Sequence, residues 1–152
     1  MTIVYKSNTG FTQEYAEMLG RSTHRKVCHW EEALIRLEPG SPVLYMGPLM
    51  AGHVTGLDQA RKRFQVRAVC GVGMAPPGPE IIASMSRANY VGEAPLFYLR
   101  GGWAPKKVGW LKRRMVFMAA RSMADERFLK QGGSFVAYQN LAPLENWLEK
   151  QP

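Results

Sequence analysis

Five short runs of apolar, β-branched and aromatic residues alternate with stretches of helical composition, and that alternation leaves the chain few folds. The runs are Ile3–Tyr5, Lys26–Trp30, Pro42–Met46, Arg67–Val72 and Pro95–Leu99. Helices are expected between them: Thr12 to Ser22, Glu31 to Leu37, a third capped by Thr55 and running to about Phe64, and Glu80 to Ala88. Short strands separated by helices are joined by right-handed crossovers, which produce a parallel sheet with both faces covered. The expected architecture is therefore α/β, a doubly wound five-stranded parallel sheet with helices on both faces.

The 152 residues fit one domain, and the 46% hydrophobic content supplies a core. No run of about eighteen apolar residues occurs, and the chain starts on a strand, so a cytoplasmic location is expected. Cys28 and Cys70 lie in separate apolar strands without metal-ligand spacing, which suits reduced thiols in a core. No metal ligand set is recognised. The net charge of +8 favours acidic partners, and much of it sits between Arg100 and Arg121. There Lys106, Lys107, Lys112, Arg113 and Arg114 have no acidic neighbour in the segment.

That basic segment is expected as a helical insertion around 103–131, between the fifth strand and a last helix at Leu144–Lys150 entered through Pro143. Ser134–Tyr138 reads as extended. Val108, Leu111, Met115 and Met118 recur at helical spacing over Val108–Ser122, as a face that packs on its own domain requires. The same segment, with Trp110 and Phe117 among its cations, also suits an interfacial helix on an anionic bilayer. Nucleic acid is not expected, since no reading motif accompanies the charge.

Ligands of parallel α/β sheets sit outside the carboxyl ends of the strands. Three loops lie there: Ser7–Thr12, Gly47–Gly56 and Gly73–Pro79. The first turns from a strand into a helix around Gly10, so backbone N–H groups and the helix's positive end favour an anion, with the Ser7, Thr9 and Thr12 hydroxyls as further donors. Neither the dinucleotide glycine pattern nor the Gly-Lys-Ser/Thr phosphate pattern occurs, which disfavours NAD and ATP. The later two loops contain no aromatic residue. His53 stands in the second of these loops, where a histidine is more often a solvated side chain than a proton donor.

The loop Ser7-Asn8-Thr9-Gly10-Phe11-Thr12 resembles the FMN-phosphate loop of flavodoxins. Gly47, Pro48, Leu49, Met50, Ala51, Gly52 and His53 stand where that family has its first isoalloxazine loop, and Gly73, Met74, Ala75 and Pro76 where it has the second. More narrowly, the His53 loop and the block from Gly101 to Met115 resemble the menaquinone-dependent protoporphyrinogen dehydrogenase branch, an FMN enzyme group associated with the membrane. The resemblance implies an FMN-binding flavodoxin-like redox protein, an oxidoreductase passing electrons to a quinone-type or other acceptor. A soluble carrier between redox partner proteins, or a cofactor-free module keeping only the fold, are the alternatives. A quinone acceptor would bring the chain to the inner membrane face as a peripheral protein. The resemblance assigns no catalytic acid or base.

Overall fold

The computed structural model describes residues 1–120 and 125–152. In chain order its elements begin with β1 (Thr2–Tyr5), α1 (Phe11–Thr23), β2 (Val27–His29), α2 (Trp30–Arg36), β3 (Pro42–Met50), β4 (His53–Val54) and α3 (Leu57–Arg63). They continue with β5 (Gln65–Gly73), α4 (Pro79–Ala88), β6 (Leu96–Arg100), β7 (Gly102–Trp103), α5 (Trp110–Ala120), α6 (Glu126–Gln131), β8 (Gly133–Ser134) and α7 (Ala142–Glu149). Arg121 of the basic segment, and the expected helix end at Ser122, lie outside the described residues.

Five strands run parallel in the order β2-β1-β3-β5-β6. The chain moves outward from β1 to β2 and then resumes on the other side of β1 with β3. The direction of winding thus switches between β1 and β3, which is the flavodoxin-like doubly wound order. Alternate residues of the central strands enter opposite cores, because successive side chains of a strand point to opposite faces. Ile3, Leu44, Met46, Ala68 and Cys70 pack with Tyr15, Ala16 and Leu19 of α1 and with Leu144 and Leu148 of α7. Val4, Val43, Tyr45 and Val69 pack with Ala33 of α2, Leu57 and Ala60 of α3, and Met85 of α4. Both cysteines are free and buried in these cores.

The third strand outruns the expectation that it ends at Met46. It reaches Met50, with Pro48 in register opposite Val72 of β5 and Leu49 opposite Val54 of β4. Proline cannot donate to a ladder, but its carbonyl can accept, and here the Thr55 N–H bonds to it at 2.9 Å. Ala51 and Gly52 turn the chain back with φ of 49° and 84°. Two positive φ values at the centre of a two-residue loop match the twist of a tight hairpin. The expected loop is therefore a β-hairpin projecting past the sheet's carboxyl edge. Thr55 does not cap α3. The cap is Gly56, and the Thr55 carbonyl instead accepts the Tyr45 hydroxyl at 2.6 Å.

The segment after β6 departs further. β7 and β8 form a separate antiparallel pair, Pro105–Lys107 is a 3-10 turn, and α5 begins only at Trp110. The stripe Leu111, Met115 and Met118 does not pack on the domain: all three residues are exposed, Met115 by 62%. The side turned inward carries Lys112, Val116 and the buried Ala120. Of Ser134–Tyr138, expected to be extended, only Ser134 lies in a strand, the two-residue Gly133–Ser134, and Tyr138–Leu141 is a 3-10 turn leading into α7.

Candidate functional site

A cavity of about 250 Å³ opens at the carboxyl edge of the sheet, over the switch point. The loop after β1 contributes Asn8 and Thr9, the first turn of α1 contributes Phe11 and Thr12, and the β3–β4 hairpin contributes Pro48, Leu49, Met50 and Ala51. Val72, Gly73 and Met74 come from the end of β5. Gly102, Trp103, Val108, Lys112 and Val116 close the remaining side from the segment after β6.

The first loop leaves backbone donors open toward the cavity edge. Gly10 sits at φ 100° as the N-cap residue of α1, a backbone region that L side chains adopt only at a cost. With glycine there, no side chain caps the first turn of α1, so its leading N–H groups keep their capacity for an external acceptor. Ser7 supports the loop from within: its Oγ accepts the Gly10 N–H at 3.1 Å. Thr12, only 2% exposed, is the one buried polar residue among the described residues, and it lines the cavity.

The third loop is held from below. Tyr98 donates its hydroxyl to the Ala75 carbonyl at 2.6 Å, Arg100 Nε donates to the Met74 carbonyl at 3.1 Å, and Gly101 N–H donates to Gly73 at 2.8 Å. Burial pushes the Tyr98 phenol well above its ordinary value, with the nearby Arg100 opposing the shift only in part. The phenol therefore stays a donor. These bonds fix where Gly73 and Met74 meet the cavity.

Two lysines approach from the basic segment. Lys107 Nζ donates to the Thr9 carbonyl at 3.2 Å, and Lys112 Nζ lies 3.7 Å from Met50 Sδ. No carboxylate, imidazole or thiol lines the cavity among the described residues, so its charge is wholly positive. Such a lining is suited to an anionic, largely apolar molecule. It presents no side chain suited to proton transfer near neutral pH.

Ten of the residues singled out from the sequence meet in this cavity: Asn8, Thr9, Phe11, Thr12, Pro48, Leu49, Met50, Ala51, Gly73 and Met74. Ser7 and Gly10 shape the first loop without lining the chamber, and Gly47 lies lower, where a Cβ would stand 2.6 Å from the Thr55 carbonyl. Gly52 turns the hairpin, Ala75 is the acceptor for Tyr98, and Pro76 lies beyond it. His53 is exposed on the return strand, away from the cavity. The lining residues missed are Val72, Gly102, Trp103, Val108, Lys112 and Val116. One signal was available: Gly101-Gly102-Trp103 directly follows the carboxyl end of the fifth parallel strand, and so reaches the same edge as the other loops. Trp103 is nearly buried, and its indole N–H is bonded to the Leu129 carbonyl at 2.9 Å. Phe11 and Trp103 thus bring to the chamber the aromatic surface that the hairpin and the third loop lack.

The strand order and the site at its switch point define a flavodoxin-like fold with a candidate anion-and-ring cavity. No family model and no curated protein matches the sequence. Among solved structures, a flavodoxin from the domain Archaea is similar at 17% identity and a TM-score of 0.37, over 79% of this chain and 96% of that one. At that level the likeness adds nothing, and the fold class rests on the order and direction of the strands. Among the described residues no helix is long and apolar enough to cross a membrane, and no group of three metal-ligating side chains forms.

Proposed function

We propose that this chain is an FMN-binding redox protein. The observation that carries the reading is the cavity over the β1/β3 switch point, bounded by an uncapped helix N-terminus at one end and apolar side chains at the other. The residues fit the group. Asn8, Thr9, Thr12 and the leading amides of α1 would hold the phosphate, while Leu49, Met50, Phe11 and Trp103 would give the ring apolar, polarisable contact. At about 250 Å³ the chamber lies just under the usual range for ligand pockets, roughly 300–1,000 Å³. Val108, Lys112 and Val116 line the side from which α5 closes it, so a full ring requires α5 to stand slightly further out.

Bound FMN would supply the electron transfer itself, as cofactors of this kind do. The protein's part is to bind, to limit water and to set the local charge. Lys107 and Lys112 favour added negative charge in the chamber, so a reduction potential less negative than that of acidic flavodoxins is expected. Titration of the protein against FMN, followed by quenching of flavin fluorescence, tests the reading. Saturable quenching supports it, and an unchanged signal removes it.

For the acceptor we infer a quinone at an anionic membrane surface. Trp110, Leu111, Met115 and Met118 are exposed on α5 beside Arg113 and Arg114, the combination an interfacial helix uses. Co-sedimentation with anionic but not zwitterionic vesicles is expected. Failure to sediment with either favours a soluble carrier between protein partners. The resemblance of Gly101–Met115 to the protoporphyrinogen dehydrogenase branch suggests a porphyrinogen donor. Anaerobic bleaching of the FMN-loaded protein by protoporphyrinogen supports that donor, and an unchanged flavin spectrum removes it.

A further inference from the structure

We propose that Lys107 is the residue that makes this site select a phosphorylated flavin over its unphosphorylated nucleoside, by adding a charge from outside the phosphate loop. The inference rests on the FMN reading and deepens it. Ser7–Thr12 contains no cation, so the loop alone offers a phosphate only neutral donors and the partial charge of a helix end. Lys107 changes that. Its Nζ is 3.2 Å from the Thr9 carbonyl and 3.6 Å from where a Cβ on Gly10 would stand, directly over the turn that opens α1.

Its presentation is structured, although its ammonium is exposed. Lys107 ends the 3-10 turn that starts at the buried Pro105, and its N–H donates to the Ala104 carbonyl at 3.0 Å. Two residues before Pro105, Trp103 is nearly buried and anchored to Leu129. Among the described residues Lys107 pairs with no carboxylate. An ammonium has three donors, and a single carbonyl at its side leaves donors for a phosphate oxygen.

The chemistry discriminates sharply. A phosphomonoester carries roughly −1.5 to −2 charges near neutral pH, whereas riboflavin carries none in the same place. A charge-assisted hydrogen bond from Lys107 would therefore strengthen FMN alone. The contact also ties the basic segment to the phosphate loop, so the phosphate would hold residues 106–114 against the sheet edge.

The test is a pair of titrations, FMN and riboflavin, on the wild-type protein, Lys107→Gln and Lys107→Arg. Lys107→Gln should lose roughly tenfold in FMN affinity, as expected for one charged hydrogen bond, and keep riboflavin within about twofold. Lys107→Arg should recover most of the loss. Raising salt should weaken FMN binding by the wild type more than by Lys107→Gln. In the wild type, FMN but not riboflavin should slow tryptic cleavage at Lys106–Arg114. Unchanged riboflavin binding by Lys107→Gln shows that the variant is folded. If the wild type binds FMN and Lys107→Gln keeps the same ratio of FMN to riboflavin affinity, the role of Lys107 is overturned while the FMN reading stands. If the wild type binds neither flavin, the FMN reading itself falls.

Discussion

The sheet with its first three loops and the basic segment after β6 solve opposite packing problems. Every central strand of the sheet is covered on both faces, and Leu44, Tyr45 and Met46 are fully buried. In α5 the apolar side chains Trp110, Leu111, Met115 and Met118 face outward, while a lysine and two small or branched residues face the domain. The first region's shape follows from its own core. The second is arranged around what lies next to it: the cavity on one side and an open surface on the other.

If that contrast holds, truncation should act very differently in the two regions. Leu44→Ala should cost about 2–5 kcal/mol in denaturant unfolding, as for other fully buried leucines. Met115→Ala should stay within about 0.5 kcal/mol, because its side chain is already in water. Comparable losses at both positions would break the comparison and mean that α5 packs elsewhere. A smaller effect is expected where the hairpin crosses the sheet edge. Gly47→Ala would bring a Cβ to 2.6 Å from the Thr55 carbonyl, a backbone atom with little room to yield. A loss of about 1–3 kcal/mol follows from overpacking there. A neutral result would show that the β3–β4 hairpin is free to shift.

The smallest effect sharpens the contrast through pH. Burial raises the Tyr45 phenol well above its ordinary 10.0, and it raises the Cys70 thiol well above 9.0. Both groups are neutral when protonated, so the unfolded chain loses these protons at a lower pH than the folded one. Their contribution to stability is complete below about pH 9 and declines as pH rises past the ordinary thiol and phenol values. Denaturant midpoints should therefore fall progressively above pH 9 and stay flat in this respect below it. The exposed face of α5 carries no such group, and Met115→Ala should leave the profile unchanged.

How much of this was legible in the sequence follows the same division. The five parallel strands and the helices covering them could be read because both faces are buried, so strands appear as apolar runs and helices as periodic interruptions. The extension of β3 to Met50 was hidden by Pro48, which ordinarily ends a strand but here needs only its carbonyl. The hairpin was hidden because Ala51, at φ 49°, is not a residue that announces a tight turn. In α5 the helical spacing of Leu111, Met115 and Met118 holds, and of the two facings open to that stripe, against the domain or outward, the outward one is found. Periodicity identifies an apolar stripe without saying whether protein, ligand or solvent lies against it. The cavity's first three walls were visible as loops after parallel strands. Of the fourth, only Gly102 and Trp103 were signalled, by their place just after the fifth strand; Val108, Lys112 and Val116 depend on how the chain beyond them folds back, which no local pattern encodes.

On the proposed reading, a phosphate-bearing flavin binds at the carboxyl edge of the sheet, between α1 and the basic segment. Amide chemical-shift mapping of the labelled protein during addition of FMN tests it most directly. The predicted result is a saturable set of large shifts at Asn8–Gln13, Met50–Ala51, Gly73–Met74 and Gly102–Val116, with the amino edge of the sheet unaffected. No shifts, or shifts clustered away from that edge, would contradict it.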